Sequence, residues 1–193
     1  GLIDKKSALL NLDISNLDQL LHPRLKNPDQ IALTTGLPAS PGAAVGQIAF
    51  TAESAEIMHQ AGTPVILVRH ETSPEDINGM HAAQGILTAC GGMTSHAAVV
   101  ARGMGRPCIS GAAELLIGED NDQCTIGGQT FAAGDWITLD GTIGSVIAGQ
   151  SETVPASLSE DFETILAWAQ EFGYLRVRTN ADTPESAQKA RDL

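Results

Sequence analysis

Three short apolar runs, alternating with stretches that start helices, narrow this chain to few folds. Pro64-Val65-Ile66-Leu67-Val68-Arg69 has no polar residue in its interior, so it reads as an inner strand buried on both faces. Glu71-Thr72-Ser73-Pro74-Glu75-Asp76 then opens a helix running to about Gln84. A capping hydroxyl, a proline in the first turn and acids facing the helix dipole all agree there. Gly85-Ile86-Leu87-Thr88-Ala89 is the next strand. The stretch from Gly91 to Arg102 opens a second helix, which lasts to about Gly103, and Pro107-Cys108-Ile109-Ser110 is a third strand. This order predicts short parallel strands with helices outside them. Ligands of open α/β sheets bind where the parallel strands end. Thr72-Ser73 and Thr94-Ser95 both follow such ends, so their loops are expected to be neighbours.

The second helix is amphipathic. Ala97, Val100, Ala101 and Met104 share one face and are expected to be buried. His96 lies off that stripe in the first turn, where free backbone N–H groups point outward and can meet a phosphate.

The flanks have a different texture. Residues 36–46 read as a rigid, glycine-punctuated loop, followed by a strand at Gln47-Ile48-Ala49-Phe50 and a helix from Ser54 to Gln60. After Gly111, short strands at Thr125-Ile126, Gln129–Phe131, Trp136–Leu139 and Ser145–Ile147 are separated by glycine turns. They predict a β-rich hairpin subdomain beside the α/β part. Short helices are expected at Ser7–Leu10 and Ser15–Leu21. A longer one runs from Leu158 to Phe172 with Ser159 as its cap, then a strand at Tyr174–Arg178 and a helix from Thr183. The expected division is an N-terminal linker (1–33), a central domain (34–150) and a C-terminal linker leading into the next domain (151–193). The first residues read as mid-chain sequence, and the last stop inside a helical pattern.

The net charge is -12, which excludes a nucleic-acid binder, because neutralising phosphates needs a basic surface. The acids are expected away from His96. No apolar run reaches the roughly 18 residues of a membrane span. Cys90, Cys108 and Cys124 have no metal-site or redox spacing, so a reducing cytoplasm and no metal site are expected. Cys90 and Cys108 are expected in the core, and His59, His70 and His81 on the surface.

A covalent phosphoryl carrier needs a nucleophile that is neutral near pH 7, and imidazole, titrating near pH 6.5, is one. A helix N-terminus then favours the phosphoryl dianion. Gly91 and Gly92 leave room for another polypeptide, and Thr94 and Ser95 add hydroxyls. The residues alone equally allow a His96 that only caps or packs.

Gly91 to Gly111, GGMTSHAAVVARGMGRPCISG, resembles the phosphohistidine signature of the PEP-utilising enzymes. Thr72–Asp76, the Ser40-Pro41-Gly42 loop and Gly134-Asp135 with Asp140-Gly141 also resemble that family's mobile domain. Met93, Ser95 and Leu20-Leu21-His22-Pro23 resemble its dikinase branch; phosphoenolpyruvate synthase and phosphotransferase-system enzyme I usually carry Arg at the position of Met93. The resemblance implies a swivelling β/β/α domain in which His96 takes a phosphoryl group from ATP, with inorganic phosphate as a second acceptor, and passes it to pyruvate. Its partners would be an ATP-grasp domain and a PEP/pyruvate barrel of the same enzyme, a homodimer. Mg²⁺ and a monovalent cation would be needed, with ligands outside this chain, which alone would not turn over. Location would be cytoplasmic, or plastidic in a plant. Thr72 would hydrogen-bond His96 and fix its tautomer, or simply cap its own helix. Thr94 matches a threonine phosphorylated by a regulatory kinase/phosphatase, or caps the His96 helix. Arg102 either complements the helix dipole or contacts phosphate. The alternatives are the same role in phosphoenolpyruvate synthase, or a non-catalytic interaction module.

Overall fold

The computed structural model describes residues 3–12, 22–118, 120–156, 160–173 and 188. The expected helix at residues 15–21, the cap at Ser159, the strand at 174–178 and the helix from 183 lie outside them. The chain forms two compact units, one comprising residues 1–13 and 158–193, the other residues 14–157. In the first, helix α1 (Lys5–Leu10), capped by Asp4, packs on α5 (Glu160–Phe172). Lys5 Nζ lies 2.9 Å from Glu171 Oε2 and 5.9 Å from the Trp168 ring centroid.

The second unit has three layers. Its central sheet contains β2 (Thr34–Thr35), β3 (Leu37–Ser40), β4 (Ala43–Ala49), β5 (Val65–Arg69), β6 (Gly85–Thr88), β7 (Cys108–Ser110), β11 (Trp136–Asp140) and β12 (Ser145–Ala148). Their order is β2-β12-β11-β4-β5-β6-β7-β3. The four adjacent strands β4 to β7 run parallel and the others antiparallel.

Each inner strand feeds two cores, as its continuous apolar composition requires. Ile66, Val68 and Leu87 point to one face. There they meet Ile126 and Cys124 of a small antiparallel sheet made of β8 (Leu115–Ile117), β9 (Gln123–Ile126) and β10 (Gln129–Ala132). Val65, Leu67 and Ile86 point to the other face. There they meet Ala55 of α2 (Ala52–Gln60), Met80 of α3 (Ile77–Ala82) and Ala97, Ala98 and Ala101 of α4 (His96–Met104). The layers are thus β/β/α. Alanines dominate α4's inner face, so it can lie close to the sheet; Val100 and Met104 border them, partly buried.

Three expectations are corrected. Residues 36–46 are not a loop: β3 and β4 occupy most of it, turning at Pro41-Gly42. β11 and β12 are not a separate subdomain, because β11 pairs with β4 from Trp136↔Gln47 to Asp140↔Ala43 and so extends the main sheet. Of the described strands after Gly111 up to Ala148, β8, β9 and β10 form a sheet of their own. Cys90 is exposed, since β6 ends at Thr88; Cys108 and Cys124 are buried. His59, His70 and His81 are exposed.

The segments expected as linkers meet. β1 (Arg24–Leu25) pairs antiparallel with β13 (Thr153–Val154), and Lys26 N–H donates to Glu152 O at 2.9 Å. The Lys26–Glu152 ion pair beside them is exposed and adds little stability. Pro23, Thr153, Pro64, Gln84 and Pro107 line one cleft, so this ladder lies at the edge where the parallel strands begin.

Burial pushes both the Cys108 and Cys124 thiols up to about 11. At pH 8 each would be thiolate in only about one molecule in a thousand, and thiolate is the reactive form. A maleimide or aromatic disulfide reagent at pH 8 should therefore modify Cys90 alone in the native chain, and all three thiols in denaturant. Mass spectrometry of the modified peptides reads this directly, and native labelling of Cys124 at the rate of Cys90 would contradict the placement of β9.

Candidate functional site

The pairing of β5 with β6 does not stop where the strands end. Ala89 N–H donates to Arg69 O at 3.1 Å and Cys90 N–H to His70 O at 2.8 Å. The two loops that follow therefore leave the sheet side by side. One carries Thr72 into the 3-10 turn Pro74–Asp76; the other carries Gly91 to Ser95 into α4. Cys90 Sγ lies 3.5 Å from His70 Nε2 at the point of exit.

The second loop turns sharply. Gly91 has φ +124°, which side chains rarely allow, and a Cβ there would lie 3.0 Å from Ser95 Oγ. A Cβ on Gly92 would meet nothing within 4 Å, so this side of the loop is open. Ser95 N–H donates to Gly92 O at 3.0 Å and closes the turn. Ser95 is the N-cap: its Oγ accepts from Ala98 N–H at 3.3 Å. Thr94 is therefore not the cap, and its side chain is exposed.

His96 begins α4 half-buried, and Thr72 is buried beside it. Thr72 Oγ1 lies 3.1 Å from His96 Nδ1. One ring nitrogen, Nδ1, is thus engaged within the chain. Met93, 44% exposed, and Val99, 54% exposed, flank this end of the helix as apolar surface.

Arg102 stands in the last turn of α4, as the dipole reading has it, and also reaches back along the helix. Its Nε donates to Ala98 O at 3.1 Å, and its Nη2 donates to Met93 O. The guanidinium bridges back along the helix and ties down the loop in front of His96. Two of its donors are taken by these carbonyls, and the side chain remains exposed.

Two residues the sequence reading passed over stand behind Thr72. Asp76, buried, accepts from Ser73 N–H at 2.9 Å and Ser73 Oγ at 3.3 Å through Oδ2. Its Oδ1 faces Arg69 Nε at 3.5 Å, and Arg69 Nη1 donates to Phe50 O at 3.0 Å. A lone Arg ending an apolar strand, followed seven residues later by an acid, was the available signal. Glu71 and Glu75 are exposed on the same loop, so the acids are not all kept from this edge. Among the described residues, no group of three or more His, Cys, Asp or Glu can hold a metal ion. No described helix is long and apolar enough to cross a membrane.

Residues 61–144 match the family model described as PEP-utilising enzyme, mobile domain. The chain is 54% identical to the pyruvate, phosphate dikinase of Clostridium symbiosum over 197 residues, all of this chain and 22% of that one. It is 52% identical to the chloroplastic pyruvate, phosphate dikinase of Flaveria pringlei over 195 residues, all of this chain and 20% of that one. It is 53% identical to the chloroplastic pyruvate, phosphate dikinase 1 of Arabidopsis thaliana, over 99% of this chain and 20% of that one. The chain thus spans about a fifth of the length of these relatives. An NMR structure of Enzyme I overlaps 56% of this chain and 37% of that one, at 23% identity and a TM-score of 0.34, too loosely to carry detail across.

The cap assignment has a direct check. Ser95→Ala should lower the unfolding free energy by about 1 kcal/mol, and Thr94→Ala by less than about 0.5 kcal/mol. Urea unfolding of the two variants measures both, and a larger loss for Thr94→Ala would reverse the assignment.

Proposed function

Since this chain carries the mobile domain of the PEP-utilising enzymes, we propose that it is the phosphohistidine carrier segment of a pyruvate, phosphate dikinase, with His96 as the carrier. The observation that carries this reading is the Thr72 contact at His96 Nδ1. A proton held on Nδ1, donated to Thr72 Oγ1, leaves the Nε2 lone pair as the nucleophile. The identity to dikinases over the whole chain supports the choice within the family.

On this reading Nε2 attacks the β-phosphorus of ATP. An N–P bond forms, the bond from that phosphorus to the bridging oxygen breaks, and AMP leaves. Inorganic phosphate then attacks the outer phosphorus and departs as pyrophosphate. Phospho-His96 remains, its dianion lying at the N-terminus of α4, where the dipole favours negative charge. The enolate oxygen formed from pyruvate attacks the remaining phosphorus, the N–P bond breaks, and its electron pair returns to Nε2. Thr72 keeps the ring oriented throughout, while Arg102 and Ser95 hold the loop and helix start that present it.

Nucleotide and pyruvate would be bound by an ATP-grasp domain and a PEP/pyruvate barrel elsewhere in the same enzyme, which acts as a homodimer in the cytoplasm, or in a plastid in a plant. The Mg²⁺ and the monovalent cation that the family implies would be held by those domains. This segment would swivel between the two sites. The open side of Gly92 and the exposed Met93 and Val99 suit repeated docking. Thr94 is the regulatory position of this scheme: exposed, two residues from His96, and able, once phosphorylated by a regulatory kinase/phosphatase, to repel an incoming anion.

The full-length enzyme incubated with ATP labelled at the β-phosphate should take up acid-labile, base-stable label, and His96→Asn should take up none. Label that survives His96→Asn, or none in the wild type, would leave His96 a structural residue of an interaction module. PEP formation should require inorganic phosphate; PEP formation without it would favour phosphoenolpyruvate synthase.

A further inference from the structure

We infer that Arg69 and Asp76 are positioning residues that decide which ring nitrogen of His96 receives the phosphoryl group; this rests on the carrier reading above. The choice of nitrogen depends on Thr72 standing at Nδ1, and Thr72 lies in a loop, not in a strand or helix. Something must therefore hold that loop. Asp76 Oδ2 takes both the backbone N–H and the hydroxyl of Ser73, which fixes the peptide plane joining Thr72 to Ser73. Asp76 N–H donates in turn to Ser73 O at 3.0 Å, closing the turn from the other side.

Asp76 needs its own anchor, because a buried carboxylate is stable only when paired. Arg69 supplies it at 3.5 Å and is itself moored on Phe50 O. Among the described residues, the buried side-chain N and O atoms without a hydrogen-bond partner are Arg69 Nε and Thr88 Oγ1. At 3.5 Å the Arg69–Asp76 contact is an ion pair rather than a short hydrogen bond, so the charge of Asp76 is what compensates this buried nitrogen. Arg69 is also the register partner of Thr88, at the end of the strand that leads to His96. One ion pair thus ties the Thr72 loop to the strand end beside which the His96 loop leaves.

The readout is the position of the label. Full-length wild-type enzyme, phosphorylated with ATP, should carry phosphohistidine almost wholly as the Nε2 isomer, scored with isomer-specific antibodies after rapid quenching. In Asp76→Asn, which is isosteric, the share of Nδ1 isomer should rise at least severalfold. Single-turnover phosphoryl transfer should slow roughly ten- to a hundredfold, as misplaced reacting groups do. Arg69→Met should behave alike, and provides the second route if Asp76→Asn does not fold. Arg69→Lys, which keeps the charge, should restore the wild-type isomer ratio. A folded Asp76→Asn or Arg69→Met variant with the wild-type ratio would overturn the inference, even if its transfer were slow. Absence of all label from the wild type would instead overturn the carrier reading itself.

Discussion

Two backbone hydrogen bonds that continue the β5–β6 ladder past the ends of its strands determine what this molecule can do. Ala89 to Arg69 and Cys90 to His70 keep two diverging loops in register for one more residue each. Because the strands are parallel, both loops emerge from the same edge, and each then meets a helical turn. Side chains on the two loops can therefore touch without any special sequence between them. The contact between Thr72 and His96 is made there, and its geometry is set by the ladder before either side chain contributes.

That arrangement explains which parts of the site were legible. The apolar run at residues 65–68 forces a strand buried on both faces, and the apolar stripe of Ala97, Val100, Ala101 and Met104 behind the hydroxyls Thr94 and Ser95 predicts a helix after it. Two such units in succession make the loops neighbours whatever else the chain does. The family signature around His96 was equally visible, because it is local. Arg69 and Asp76 were not, since an arginine closing a strand and an acid in a first helical turn are each ordinary. Only the fold puts them opposite one another. Arg102 was legible as a last-turn arginine; its reach back to Met93 was not, because a long side chain's local partner is not written in the sequence.

The sheet was misjudged for a related reason. β4 pairs with β11, which lies far along the chain, and nothing in the local pattern of either strand names its partner. A glycine-punctuated stretch reads as loop when its pairing is non-local, as residues 36–46 did. Turn chemistry correctly announced the β11–β12 hairpin, yet said nothing of the sheet it would join. Cys90 follows the same logic. Its exposure depends on β6 ending two residues earlier, at the moment its neighbour turns towards Thr72.

The polarity of the parallel strands also separates the two ends of the domain's work. Chain entry and exit are zipped together by β1 and β13, beside the cleft shared by Pro64, Gln84 and Pro107, where the strands begin. His96 stands where the strands end. Inner strands buried on both sides make a stiff spacer between these edges, because close-packed cores resist deformation. A small rotation at the paired segments would therefore displace the His96 edge without disturbing the Thr72 contact, the Ser95 cap or the Arg102 tie. If His96 is the proposed carrier, that division is what it would need: motion confined to its attachment, and a ring that stays presented at either end of its travel.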